Sequence, residues 1–386
     1  MDEPLHPSGY RDSFARDSLP ARDQWPDFIF TLPRLRYPAR LNAAVELLDK
    51  RVAAGYGSRV AFRSADAVWR YADLLARTNQ VARVLIEDMA LVSGNRVLLR
   101  GFNSPMLAAC LLGVLKAGGI PVPTMPLLRK GELHTLCERA RITHALCDVR
   151  LRDELPDAAG LRQIRRFGND ELERAMATKP ESFEAVDSAQ DDVALIAFTS
   201  GTTGPPKATM HFHRDLIAVC DCAPPHLFAP TPDDIFAGSS PLAFTFGLGG
   251  LVLFPMRYGA SGVLVERPRP EALLEAIQRH RASVLFTTPT AYRMMLPEVE
   301  RYDTTSLRLC VASGEHLTPR DFEDWLAATG IRITEVLGST EMLHCFIGAT
   351  GKRVRPGATG TVMPGYEARI VDAHMQEVPE IGRAHV

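Results

Sequence analysis

The stretch Val193–His213, V-A-L-I-A-F-T-S-G-T-T-G-P-P-K-A-T-M-H-F-H, constrains this chain more than any other. Its apolar run, Val193 to Phe198, has the length of a buried strand. The composition then switches at once to Thr199, Ser200, Gly201, Thr202, Thr203 and Gly204. Glycine lets the backbone reach positive φ, so that successive N–H groups can point at one anion. The hydroxyls add neutral donors and Lys207 adds a fixed positive charge. Such a loop suits a triphosphate, whereas a plain turn needs only a couple of such residues.

An ordinary P-loop would read G-x-x-x-x-G-K-[ST] and open a helix. Here Pro205 and Pro206 separate Gly204 from Lys207, and Ala208 stands where a metal-binding hydroxyl belongs. After the lysine, Thr209, His211 and His213 alternate with Met210 and Phe212, which predicts strand–loop–strand. A P-loop kinase or ATPase is therefore disfavoured. His211 and His213 read as structural residues on one face of that strand.

Elsewhere the pattern is of alternating helices and short apolar strands. Ala72–Ile86 and Pro105–Lys116 have helical spacing, whereas Arg96–Leu99 and Ile120–Pro123 read as strands. Thr318 as N-cap, Pro319 at the first helical position and Gly330 at the far end punctuate another helix before a strand at Ile331–Leu337. This alternation predicts α/β layers with mostly parallel sheets. The expected organisation is an arm over 1–40, a first α/β subdomain over 41–190, a second over 191–346, and part of a small β-barrel over 347–386.

A second constellation, G-S-T-E-M-L-H (Gly338–His344), follows the last of these strands. In an open α/β sheet the C-terminal ends of strands face the ligand. The Thr340 hydroxyl can donate to a phosphate, and the Glu341 carboxylate can hold Mg²⁺, which prefers oxygen ligands and keeps most of its waters.

The run T-S-G-T-T-G-P-P-K resembles the phosphate-binding signature of the adenylate-forming superfamily of acyl- and aryl-CoA ligases, as does Leu112–Pro123, L-G-V-L-K-A-G-G-I-P-V-P. The fold implied is the large N-terminal domain of those enzymes. The resemblance implies that Thr199, Ser200, Gly201, Thr202, Thr203, Gly204 and Lys207 hold the ATP phosphates. It gives Lys207, Thr340 and Glu341 catalytic roles, Glu341 as the metal ligand. It lays adenine against Ser313, Gly314, Glu315, Leu337 and Gly338; many relatives carry an aromatic where this chain has Leu337. In Pro241–Gly250, P-L-A-F-T-F-G-L-G-G, the chain resembles benzoate and 2-aminobenzoate ligases. That implies a ring pocket of Phe244, Phe246, Gly247, Leu248, Gly249 and His344.

The implied substrates are an aromatic carboxylic acid, ATP with Mg²⁺, and CoA. A non-catalytic binder of aryl acid or nucleotide on the same scaffold is the competing expectation. Relatives continue into a mobile C-terminal domain bearing a further lysine, and no such motif occurs before Val386. The chain is thus expected to be an N-terminal portion, inactive or nearly so in thioester formation. Lys+Arg at 44 against Asp+Glu at 46 gives no basis for nucleic-acid binding. No apolar run is long enough to span a bilayer, and a cytoplasmic location is expected. Seven scattered cysteines read as packing residues, and the close pair Cys220 and Cys222 lacks a second pair for zinc. A homodimer is left open.

Overall fold

A computed structural model describes residues 4–155, 160–168, 171–199 and 206–378. Two of its three sheets are largely parallel and the third is a hairpin. The strands are β1 (Val60–Arg63), β2 (Val68–Arg70), β3 (Arg96–Arg100), β4 (Ile120–Thr124), β5 (His144–Asp148), β6 (Gln163–Phe167), β7 (Val193–Thr199) and β8 (Lys207–Phe212). They continue as β9 (Ile235–Gly238), β10 (Ser261–Val263), β11 (Val284–Thr287), β12 (Leu309–Ala312), β13 (Ile333–Gly338), β14 (Cys345–Gly348) and β15 (Thr361–Val362).

The first parallel sheet has the order β4-β3-β5-β6. Its apolar strands β3, β4 and β5 are buried along their whole length, as parallel strands covered on both faces must be. The helix Pro105–Lys116 lies between β3 and β4 in sequence, starts on a Ser104 side-chain cap and ends at Gly118, where φ is +72°.

The large sheet runs β15-β14-β13-β12-β11-β9-β10-β1-β2. Strands β13 through β1 in that order are parallel, and β2, β14 and β15 are antiparallel edges. The hairpin β1–β2, from the chain's first subdomain by sequence, thus completes the sheet of the second. Of the stretch over 347–386, the end of β14 and β15 extend the far edge of this sheet, and Val371 makes an isolated bridge to Glu377.

The third sheet is the antiparallel hairpin β7–β8, with Thr199 opposite Lys207. Strand β8 ends at Phe212, so His213 opens the helix His213–Leu227 instead of continuing the strand. Asp215 in that first turn accepts from the Phe212 N–H, a cap that stops the strand there.

The arm is anchored by buried carboxylates. Asp192 accepts from the Ser8 hydroxyl and the Gly9 N–H and pairs with Arg16 at 3.3 Å, while Asp191 bonds His6. The ring of His213 lies between the Tyr10 hydroxyl and the Ala43 N–H, at 2.8 and 3.0 Å. All seven cysteines are free and buried.

Candidate active site

The large sheet reverses direction beside β9. From β9 the chain steps to β10 on one side, then crosses to β11 on the other and proceeds to β12 and β13. Loops leaving β9 and β11 therefore diverge, and a crevice opens beyond their C-terminal ends. Residues 239–249 follow β9, Thr288 follows β11, Ser313–Glu315 follow β12, and Leu337–His344 close β13 and its turn. The Ser239 and Thr287 hydroxyls bond across the switch point.

Beyond β12 and β13 the Ser313 hydroxyl donates to the Val336 carbonyl at 2.9 Å. Gly314 has φ +90°, and a Cβ there would find nothing nearer than Thr288 Cγ2 at 4.0 Å. This open backbone lies beside half-buried Leu337 and Gly338, so Ser313, Gly314, Leu337 and Gly338 come together at adjoining strand ends. Glu315 is exposed and accepts from the Thr290 hydroxyl.

Four rings meet below this edge. Phe246 and His344 have centroids 5.5 Å apart, Phe254 lies 4.5 Å from His344, and Phe286 lies 5.5 Å from Phe246. Gly249 is required at this contact, because a Cβ there would sit 2.2 Å from the His344 ring. The His344 Nε2 faces the Phe246 carbonyl at 3.4 Å, and the buried Nδ1 has no hydrogen-bond partner among the described residues. A carbonyl only accepts, so the proton belongs on Nε2 and Nδ1 keeps its lone pair. Burial drives the pKa of His344 down to about 4, so the ring is neutral.

Of the six residues anticipated for this slot, Phe246, Gly249 and His344 touch one another. Gly247 is seated on the Pro241 backbone, Leu248 is in the hydrophobic core, and Phe244 is 48% exposed. Phe254 and Phe286 belong to the ring cluster and escaped the sequence reading. Both sit in apolar runs where a slot residue looks like any core residue; the only cue was the glycine pair Gly249-Gly250, since a Cβ on Gly250 would sit 2.6 Å from Phe286.

Thr199 ends β7 and exposed Lys207 opens β8, while Ser200, Gly201, Thr202, Thr203 and Gly204 lie outside the described residues. Along β8, His211 is buried with its Nε2 3.2 Å from the Thr209 hydroxyl. Its ring meets the Thr340 backbone and feels the Glu341 carboxylate; burial, the larger effect, takes its pKa down to about 4. A cavity of about 630 Å³ is lined jointly by Thr209, His211, Glu341 and the arm residues Trp25 and Phe28. It is separate from the ring cluster, because neither Phe246 nor His344 lines it. The strand that begins with Lys207 and the turn that carries Thr340 and Glu341 therefore adjoin.

Glu341 is exposed and makes no ion pair among the described residues. No group of three or more His, Cys, Asp or Glu that could hold a metal occurs among them either. One free carboxylate fits Mg²⁺ arriving with substrate phosphates, which needs no all-protein cage.

Comparison with known proteins gives this arrangement a family. Residues 49–384 match the AMP-binding enzyme family, and the chain belongs to it. It is 30% identical over 364 residues to the benzoate–CoA ligase of Thauera aromatica, covering 92% of this chain and 69% of that one. It is 30% identical over 322 residues to the anthranilate–CoA ligase of Pseudomonas aeruginosa, covering 81% and 60%. Among solved structures, the anthranilate CoA ligase AuaEII in complex with anthranoyl-AMP superposes with a TM-score of 0.84 at 27% identity, over 89% of this chain and 67% of that one. A benzoate CoA ligase from Burkholderia xenovorans LB400 gives 0.82 at 25% identity, covering 89% and 70%. The chain thus spans about two thirds of the length of these relatives. Together they support an aryl-CoA ligase function of the AMP-forming acid–thiol class. No described helix is long and apolar enough to cross a membrane.

Proposed function

We propose that this chain binds a benzoate- or 2-aminobenzoate-like acid and ATP at the switch point of its large sheet, in the arrangement by which an aryl-CoA ligase activates the acid as its acyl-AMP. The observation that carries this reading is the convergence of the ring cluster Phe246–His344 with two strand ends, Gly338 packed on the His344 backbone and Gly314 with open space beside it. A flat apolar slot thereby adjoins a backbone edge on which a nucleotide can lie.

In the first step the carboxylate attacks the α-phosphorus, the α–β bridging bond breaks, and pyrophosphate leaves. In the second the CoA thiol attacks the acyl carbon and AMP departs. Transfer at phosphorus depends mainly on positioning and charge stabilisation. Lys207 supplies a cation and Thr340 a hydroxyl donor toward the leaving phosphates. Glu341 would hold Mg²⁺, which neutralises phosphate charge when bound. Phe246 and His344 hold the ring of the acid so that its carboxylate points at the strand ends, and the neutral His344 avoids competing with Lys207 for that anion. We place the reaction in the cytoplasm, where ATP and CoA are available.

Calorimetry of the 386-residue chain with benzoate, 2-aminobenzoate and Mg·ATP tests the proposal. It expects saturable binding of an aryl acid and of Mg·ATP. In ATP–pyrophosphate exchange by a full-length enzyme carrying this sequence, Lys207→Ala lowers the rate by ~10²–10³, the effect of losing one preorganised donor, while leaving aryl-acid affinity in place. Absence of aryl-acid binding, or wild-type exchange by Lys207→Ala, contradicts it.

A further inference from the structure

The loop that leads into the ring slot is held from outside its own sheet. Asn103 follows β3 in the first parallel sheet and is buried. Its Nδ2 donates to the Ser240 carbonyl at 3.0 Å, and its Oδ1 accepts from the Leu242 N–H at 2.8 Å. A backbone carbonyl can only accept and a backbone N–H only donate, so the orientation of this amide is settled by its partners.

The clamped backbone is the seat of the slot. The Pro241 carbonyl accepts from the Phe244 N–H at 3.0 Å, and the Phe244 carbonyl accepts from the Leu248 N–H at 2.8 Å. Gly247 presses on the same peptide: a Cβ there would lie 2.2 Å from the Pro241 oxygen and 2.6 Å from the Ser240 oxygen. Phe246 precedes Gly247 directly, and Gly249, two residues on, rests against His344. Any shift of the Ser240–Leu242 backbone is therefore passed through Gly247 to the two slot residues Phe246 and Gly249.

We propose that Asn103 is a positioning residue for the ring slot, setting from the neighbouring sheet the separation between Phe246 and His344 and hence which ring substituents enter. This rests on the reading of that slot as the aryl-acid site. Asn103 touches no substrate in this role; it acts through the Ser240–Leu242 backbone.

The test uses the 386-residue chain and calorimetry with benzoate, 2-aminobenzoate and Mg·ATP. Asn103→Asp keeps the acceptor for Leu242 but faces the Ser240 carbonyl with an anionic oxygen. Losing a buried hydrogen bond and leaving a carbonyl unpaired predicts about tenfold weaker aryl-acid binding. Mg·ATP affinity, which depends on the Lys207 strand and the Glu341 turn, stays within about twofold by the same scale. The ratio of benzoate to 2-aminobenzoate affinity shifts as well, which general loosening would not produce. Combined with Gly247→Ala, which displaces the same peptide from its other side, the losses are non-additive. Equal aryl-acid affinity in folded Asn103→Asp overturns the proposal, as do strictly additive losses. If Asn103→Asp does not fold, Gly247→Ala alone must show the same split between acid and nucleotide, and a uniform loss of both overturns it. A wild-type chain that binds neither acid overturns the functional reading, and this inference with it.

Discussion

Three histidines that look alike in the sequence sit in three different sites, yet all are neutral for one reason. His211, His213 and His344 are buried, and burial pushes them down to about 4, about 3 and about 4. Each folded pKa lies below the ordinary value of about 6.5, so the unfolded chain takes up the proton first and acid favours unfolding. Asp215 opposes this between about pH 4 and 6, because burial lifts its carboxyl to about 6 and the folded chain binds that proton more tightly. Unfolding thus takes up a net of about two protons over that window from these four groups. The predicted stability loss is on the order of 2–3 kcal/mol per pH unit from pH 6 toward 4. Urea melts at stepped pH check it, and a midpoint that holds steady or rises on acidification contradicts it. At this scale the sequence disclosed chemistry better than geometry. Lys207, Thr340 and Glu341 stand out by residue type and spacing, but Asn103 and Phe286 do not. Asn103 lies in an ordinary loop and acts on backbone far away in the chain; Phe286 has the composition of any buried strand.

Single elements were legible where the chain punctuates them locally. The helix Pro319–Thr329 begins after Thr318 and ends at Gly330, with φ +73°, as its cap residues predict. The Thr318 hydroxyl accepts from the Asp321 N–H at 3.1 Å and donates to the Asp321 carboxylate at 2.8 Å. Thr318→Ala removes both and should cost about 1 kcal/mol of stability, with Thr318→Ser costing less; chemical denaturation of the two variants checks the order. This helix joins β12 to β13, so its start also fixes the exit of the Ser313–Glu315 loop. The turn at His213 was missed because alternating His211, Phe212 and His213 continue a strand pattern, and only the local cap by Asp215, three residues beyond Phe212, breaks it. Val60–Phe62 with Trp69–Tyr71 reads as a hairpin, which β1 and β2 form, but long-range pairing was legible least of all. Nothing in Val60–Arg63 says that its partner is β10, some two hundred residues on, because strand composition carries periodicity and no address.

At the scale of the whole molecule the arm acts as a strap whose buckle is Asp192. That carboxylate is buried and holds Ser8, Gly9, Arg16 and the Ala189 N–H. Asp192→Ala strands those donors and takes the partner from half-buried Arg16, and leaving a buried donor unpaired costs about 1–3 kcal/mol. The arm should then be cut by protease under conditions in which the wild-type arm is resistant. Equal resistance of the two proteins would show that the aromatic contacts of Trp25 and Phe28 with Phe212 hold the arm unaided.

The hairpin Val60–Arg70 gives the chain a woven character. Its first strand supplies the hydrogen-bonding edge that Ser261–Val263 requires, so the later half of the polypeptide does not finish the large sheet by itself. Inheritance of the ring slot is therefore not modular at the midpoint of the gene. A recombinant taking only the later half from a relative would mate a foreign edge to a resident ribbon, and drift in substrate choice must proceed with both halves in step.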